Sequence, residues 1–117
     1  MQAETRLRQL QLCAMIEDAL ARTRAYVKRY QHLASRTRLA TVEHVLEKLS
    51  YTESILVNLD SLICASPEPG YAALLKAYNT LTSNYEHLLI LDPPLPGAVK
   101  QMYYELYAAL RRILDAG

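Results

Sequence analysis

The sequence predicts an all-α protein that folds as an antiparallel, up-down-up-down four-helix bundle. All five prolines and two of the three glycines fall in two short segments, residues 66–70 and 92–97, and the stretches between them are rich in helix formers. Apolar side chains recur at steps of three and four along these stretches. Because 117 residues with 51% hydrophobic content can bury one core, we expect a single domain covering residues 1–117.

The first two helices are predicted at about residues 4–34 and 38–64. In the first, one face carries Ile16, Leu20, Val27 and Tyr30, and the polar run at residues 35–38 predicts a tight turn. The second has a seam of apolar residues at heptad spacing, formed by Leu39, Val42, Leu46, Leu49, Leu56 and Ile63. Short connections between long helices favour antiparallel neighbours.

The last two helices are predicted at about residues 67–91 and 96–115. Ser66 is a good N-cap with Pro67 at the first helical position, and Asp92 is a candidate cap for the last helix. The third helix carries an unbroken heptad seam of Tyr71, Leu74, Tyr78, Leu81, Tyr85 and Leu88, which predicts one continuous helix. In the fourth helix the apolar face is Val99, Met102 or Tyr103, Leu106, Leu110 and Ile113.

The N-terminal residues and the cysteines indicate in which cellular compartment we expect the protein. The first 13 residues are polar and contain no apolar stretch of the kind found in secretory signals. No run approaches the roughly 20 apolar residues that a membrane-spanning helix needs. We therefore expect a cytoplasmic protein without a membrane span. Cys13 and Cys64 are far apart in the sequence and form no CxxC motif, so we expect two small buried apolar side chains rather than a zinc site or a disulfide.

A search of the helices for chemistry finds no catalytic or metal-binding pattern. Di-metal bundles use Glu-x-x-His pairs, but the residues three before the three histidines are Arg29, Thr41 and Asn84. The chain also lacks a glycine-rich phosphate loop. We therefore expect no enzyme activity, no metal and no cofactor.

One candidate binding surface is a seam of tyrosines, the only aromatic residue type among the nine aromatic residues of the chain. Burying a phenol hydroxyl without a partner costs about 1–3 kcal/mol, so tyrosines along a seam indicate an edge of the core that meets water or a partner helix. The predicted partner-binding residues are Tyr71, Leu74, Tyr78, Leu81, Tyr85, Tyr103 and Tyr107. Two alternatives are that the rings pack inside with their hydroxyls reaching outward, and that the seam joins two copies of the chain in a homodimer.

The other candidate surface is basic and consists of Arg22, Arg24, Lys28, Arg29, Arg36 and Arg38, with no acidic residue between positions 19 and 42. The simplest interpretation is a solvated helix face. The alternative function is a nucleic-acid-binding or RNA-cleaving helical protein that uses Arg22, Arg29, Arg38 and His44, since the spacing of the last two resembles that of a family of helical-bundle ribonucleases. A formal net charge of +1 argues against nucleic acid as the main partner.

Residues 40–91 resemble the flagellin-export chaperones of bacteria, which are small cytoplasmic four-helix bundles. The stretch from Glu53 to Leu62 is similar to the second-helix pattern of that family, and the stretch from Gly70 to Tyr78 is similar to its third-helix run of small residues, leucine and tyrosine. The resemblance implies a chaperone or adaptor that holds a helical segment of an export substrate or a secretion component in a groove of the bundle. The sequence thus predicts a non-enzymatic protein-binding module.

Overall fold

The structure is a computed structural model that describes residues 2–65 and 70–116. Within these residues the chain forms four α-helices and one π-helical turn, and no strand: α1 is Gln2–Arg36, α2 is Ala40–Ile63, α3 is Tyr71–Ser83, the π-helical turn is Glu86–Ile90, and α4 is Gly97–Ala116. The prediction of an all-α four-helix protein is confirmed. The predicted cap of the third helix, Ser66 with Pro67, lies outside the described residues.

Cross-helix contacts give the directions of the helices. Between α1 and α2, Cys13 lies opposite Cys64 and Arg24 opposite Glu53, so the two helices run antiparallel. Between α3 and α4, Tyr78 contacts Tyr107, and the carbonyl of Leu81 accepts a hydrogen bond from Tyr103. Each of α1 and α3 packs against both α2 and α4. The four helices therefore follow one another around the bundle in chain order.

The core is aliphatic except for one aromatic ring. The largest fully buried side chains include Tyr103 and a set of leucines and isoleucines, namely Ile16, Leu49, Leu56, Leu59, Ile63, Leu81, Leu88, Leu106 and Leu110. A central layer brings together Thr23 of α1, Thr52 of α2 and Tyr103 of α4. No helix among the described residues is long and apolar enough to cross a membrane.

The prediction of one continuous helix over residues 67–91 is wrong. The α3 helix ends at Ser83, and the chain continues through a single π-helical turn. A cluster of polar side chains surrounds the break. Thr80, Thr82 and Asn84 each donate a hydrogen bond to the carbonyl four residues earlier, and Ser83 donates to the carbonyl of Thr80. Such side-chain bonds compete with the backbone ladder and weaken a helix.

The segment between the π-helical turn and α4 completes the core. Leu88, Leu89 and Leu95 are buried, and a cis peptide bond joins Asp92 to Pro93. The predicted role of Asp92 as the cap of the fourth helix is wrong, because three prolines delay the start of α4 to Gly97. The segment lies instead against the side of α2.

The prediction that Cys13 and Cys64 remain unpaired is also wrong. They form a disulfide with a Cα–Cα distance of 5.7 Å, which is the usual spacing. The physical reason is the antiparallel packing of α1 and α2, which places the first half of α1 beside the end of α2. Next to the disulfide, the side-chain amide of Gln9 donates a hydrogen bond to the carbonyl of Ile63.

Candidate functional site

The main candidate site is the tyrosine face, which we define as the outer surface formed by Tyr71, Leu75 and Tyr78 of α3, by Tyr85 just after α3, and by Tyr104, Tyr107 and Arg111 of α4. On α3, positions 71, 75 and 78 follow the i, i+4, i+7 spacing of a single helix face. On α4, positions 104, 107 and 111 follow the i, i+3, i+7 spacing, which also places residues on one face. Because α3 and α4 are packed neighbours, the two rows form one surface.

Tyr107 is the centre of this face. Its ring stacks on Tyr78, with the ring centroids 5.3 Å apart and an interplanar angle of 25°. Tyr85 and Tyr104 lie on other sides of it, with centroid distances of 6.2 and 6.3 Å. Offset aromatic pairs at these distances stabilise one another by about 0.5–1.5 kcal/mol. The rings therefore hold each other in fixed positions.

The hydroxyls on this face are paired as well. The hydroxyl oxygens of Tyr78 and Tyr107 are 3.1 Å apart and share a hydrogen bond. That bond raises the pKa of Tyr78, and it lowers the pKa of Tyr107, to which the Arg111 guanidinium also contributes. Tyr78, Tyr85 and Tyr107 are half-buried, whereas Tyr104 is 51% exposed. The face thus presents a preformed aromatic surface with polar groups.

Two of the predicted partner-binding residues do not belong to this face. Leu81 and Tyr103 are each 1% exposed, so we withdraw their assignment to a partner surface. The reason is rotation around the helix. Tyr103 precedes Tyr104 by one position, and adjacent residues point about 100° apart, so one ring enters the core while the other faces outward. Of the other predicted residues, Leu74 is half-buried and Tyr71 is exposed.

The basic residues of the first helix fall into two groups. Arg22 pairs with Asp18 at 3.3 Å, and Arg24 pairs with Glu53 of α2 at 3.0 Å. The guanidinium of Arg29 lies over the ring of Tyr26, 5.2 Å from its centroid. In the described part of the chain, Lys28, Arg36 and Arg38 form no ion pair, and all three are exposed. The unpaired charge therefore lies toward the end of α1 and the turn that follows it.

Arg38 and His44, whose spacing resembles that of helical-bundle ribonucleases, lie on different elements. Arg38 lies in the connection between α1 and α2, whereas His44 lies on α2 and lines a pocket of about 380 Å³ together with Lys48, His87 and Asp92. No hydrogen bond or ring contact joins Arg38 to His44 within the described residues. Nor does the described part of the chain contain three or more His, Cys, Asp or Glu side chains grouped so that they could hold a metal ion.

Lys48 is a structural residue that sequence reasoning missed. It is 7% exposed, and its ammonium donates hydrogen bonds to the carbonyls of Leu91 and Pro93. Burial lowers the pKa of this ammonium, and the nearby Asp92 carboxylate offsets part of that effect. In the sequence, the only sign that Lys48 is buried is its position beside the apolar seam of the second helix. Its partners are backbone carbonyls more than 40 residues away, which the sequence does not indicate. Lys48 therefore ties the segment before α4 to α2.

We expect Lys48→Ala to free this segment while leaving the bundle folded. The two carbonyls lose their charged donor, which we expect to lower the free energy of unfolding by about 1–2 kcal/mol. Hydrogen exchange should accelerate in residues 86–96 and stay unchanged in the centre of α2. The exposed Lys76 provides the matched control as Lys76→Ala. Equal exchange rates in the two variants would show that Lys48 does not hold the segment.

The chain was compared with known protein families, with curated proteins and with solved structures, and none of the three comparisons finds a match.

Proposed function

We propose that the chain is a non-enzymatic protein-binding module, a chaperone or adaptor, whose tyrosine face holds an amphipathic helical segment of another protein. The observation that carries this proposal is the cluster of Tyr78, Tyr85 and Tyr107, half-buried around a shared hydroxyl pair, with Tyr104 exposed beside it. Tyrosine is enriched where interfaces carry their binding energy, since it offers a large ring and a hydroxyl at small entropic cost.

The preformed geometry of the face favours binding. Association normally requires side chains at the interface to become ordered, which costs about 0.5–1.5 kcal/mol for each flexible side chain. Here stacking and the bond between Tyr78 and Tyr107 already fix the central rings. A partner therefore meets a surface that needs little rearrangement. The exposed Leu75 and Tyr71 extend this surface toward the start of α3.

The charges and the size of the face indicate a helical partner with acidic residues. On α4, Lys100, Tyr104, Tyr107 and Arg111 form a row in which two cations flank two tyrosines. At 1.5 Å per residue, the row is about 16 Å long, which matches three turns of a partner helix. Such a helix would place apolar side chains on the rings and a carboxylate near Lys100, whereas Arg111 already pairs with Asp115 at 3.7 Å. In the described part of the chain, Lys100 forms no ion pair.

The export-chaperone role implied by the sequence resemblance is the specific form of this proposal. In that role, the bound segment would belong to an export substrate or a secretion component, and the face would keep it from assembling prematurely. Such chaperones work in the reducing cytoplasm, where Cys13 and Cys64 would be free thiols. The tyrosine face lies on α3 and α4 and contains neither cysteine, so its rings keep their contacts in either redox state.

Photo-cross-linking in the source cell tests the proposal. A photoreactive amino acid at the exposed position of Tyr104 should capture a defined partner. The same amino acid at the exposed Val57 on α2 should not. Equal capture from both positions would show that the tyrosine face is not the binding surface.

Binding of the captured partner's helical segment to purified variants gives the quantitative test. We expect Tyr107→Ala to weaken binding at least 30-fold, because a central aromatic contact contributes about 2 kcal/mol or more. Tyr104→Ala should weaken it less, since this ring lies at the edge. Val57→Ala is the control and should bind like the wild type. Unchanged affinity for both tyrosine variants, with unchanged circular dichroism, would contradict the proposal.

A further inference from the structure

A second surface lies at the end of the bundle where α1 turns into α2. We define the hairpin-tip surface by two leucines and four cations: Lys28, Arg29, Leu33, Arg36, Arg38 and Leu39. Arg29, Leu33 and Arg36 follow the i, i+4, i+7 spacing of one face of α1. Arg38 and Leu39 lie in the connection to α2. The surface therefore combines the last turns of a helix with a tight turn.

Unequal helix lengths leave this end uncovered. Tyr103 of α4 shares a core layer with Thr23 of α1, and α4 begins at Gly97. With a rise of 1.5 Å per residue, α4 extends only about 9 Å past this layer, whereas α1 continues for about 20 Å to Arg36. The last turns of α1 thus extend beyond the start of α4. As a result, Leu33 is 39% exposed and Leu39 is 61% exposed.

The four charged residues that define this surface are all cations. Two neighbouring arginines of the first helix, Arg22 and Arg24, form salt bridges with Asp18 and Glu53. The four cations of the hairpin-tip surface form no ion pair within the described residues. No acidic residue occurs between positions 19 and 42. The nearest acidic residue along the chain is Glu43 in the first turn of α2, and within the described residues it forms no salt bridge with any of the four cations.

We propose that the hairpin-tip surface docks on the surface of an anionic lipid bilayer. Leu33 and Leu39 would enter the interfacial region, and the four cations would lie among the lipid phosphates. Exposed leucines beside arginines have a direct use on a bilayer, because aliphatic side chains gain free energy from the acyl boundary while the cations stay with the headgroups.

Single-stranded nucleic acid fits this surface less well. Such ligands bind by stacking their bases on exposed aromatic rings within a basic groove. The two aromatic residues near the tip, Tyr26 and Tyr30, are both half-buried and pack against the core, and Arg29 already covers the ring of Tyr26. Within the described residues, no tyrosine ring stands free among the four cations, and the exposed ring there is the imidazole of His32. The exposed apolar groups here are leucines, which favours lipid as the occupant.

Vesicle flotation with the purified full chain tests the proposal. We expect binding to vesicles of two parts phosphatidylcholine and one part phosphatidylglycerol, and no binding to phosphatidylcholine alone. Binding should weaken as salt is raised, since exposed charges are screened. Arg36→Gln with Arg38→Gln should weaken binding about 10-fold or more, because each cation near the surface contributes several-fold. Equal binding to neutral and anionic vesicles would overturn the proposal, and so would no binding at low salt.

Two further comparisons separate lipid from other anions. Leu33→Ser with Leu39→Ser should weaken vesicle binding about 10-fold. The matched control, Leu7→Ser with Leu10→Ser, changes two exposed leucines near the other end of α1 and should bind like the wild type. A polyuridine oligonucleotide is the competing probe. If it binds through Arg36 and Arg38 while the leucine variant binds vesicles normally, the surface recognises nucleic acid and the lipid proposal is wrong.

Discussion

Replacing both cysteines, Cys13→Ser with Cys64→Ser, is expected to lower the free energy of unfolding by about 4 kcal/mol. The disulfide closes a loop with a sequence separation of 51, and a cross-link of this span restricts the unfolded chain by about that amount. For a domain of this size, the loss corresponds to a fall of about 15 °C in Tm. Thermal and urea unfolding of the oxidised wild type and the double variant provide the measurement.

Reduction supplies an independent form of the same test. Wild type in excess reductant should unfold like the double variant, and reductant should leave the double variant unchanged. Ala14→Ser is the matched control, since it introduces a serine at an exposed position beside Cys13 and leaves the disulfide intact. If the Tm of the wild type were the same with and without reductant, the disulfide would contribute nothing to stability. Peptide mapping without reduction should recover the fragments containing Cys13 and Cys64 as one species.

The disulfide also bears on the compartment in which the protein works. Stable structural disulfides are typical of oxidising compartments and rare in the cytosol. The resemblance to export chaperones predicts a cytoplasmic protein, in which both cysteines would be free thiols. The two kinds of compartment therefore differ in whether the link between Cys13 and Cys64 is present. In a reducing compartment, the first half of α1 would lose its covalent link to the end of α2, and the bundle would depend on its core alone.

Local sequence patterns predict α1, α2 and α4 well, because each has continuous apolar periodicity bounded by prolines or by a polar turn. The third helix shows where such patterns fail. Its heptad seam continues through Leu88, but α3 ends at Ser83 and a π-helical turn follows, in a stretch where Thr80, Thr82 and Asn84 donate side-chain hydrogen bonds to the backbone. Helix propensity describes the average preference of a residue type. The hydrogen bonds that one particular side chain makes to the backbone are not part of that average.

The sequence predicts the tyrosine face only in part, because local patterns again do not give the contacts that each side chain makes. A seam indicates that residues share a stripe, but it does not show which edge of the stripe faces the core. Tyr78 and Tyr107 meet at the surface, while Tyr103 enters the core. The disulfide and the contacts of Lys48 join residues more than 40 positions apart. Contacts of this range depend on how the helices are packed, which periodicity alone does not give.

Tyr103 provides the second large expected effect. It is 1% exposed, and its hydroxyl donates a hydrogen bond of 2.6 Å to the carbonyl of Leu81. We expect Tyr103→Ala to lower the free energy of unfolding by about 3–5 kcal/mol, because it leaves a cavity where four helices meet. Tyr103→Phe keeps the ring and removes one hydrogen bond, so it should cost only about 1 kcal/mol at neutral pH. Urea unfolding measures both, and the exposed Tyr104→Ala is the control.

The pH dependence of Tyr103→Phe separates the hydroxyl from the ring. Burial raises the pKa of the Tyr103 hydroxyl above its ordinary value, so the folded protein keeps this proton in alkaline solution. The unfolded chain loses it above about pH 10, the ordinary tyrosine pKa. The contribution of Tyr103 to stability is therefore fully present below pH 10 and is lost as the pH rises further, by about 1.4 kcal/mol per unit.

Phenylalanine has no such proton, so the order of stability of the wild type and the Tyr103→Phe variant should reverse in alkaline solution. At neutral pH the wild type should be the more stable by about 1 kcal/mol, and near pH 11 the Tyr103→Phe variant should equal or exceed it. Other tyrosines and lysines titrate in both proteins and cancel in the difference. If the difference in free energy of unfolding stayed constant from neutral pH to about pH 11, the Tyr103 hydroxyl would have to ionise as readily in the folded state as in the unfolded chain. A hydroxyl bonded to the Leu81 carbonyl inside the core cannot do so without breaking that bond.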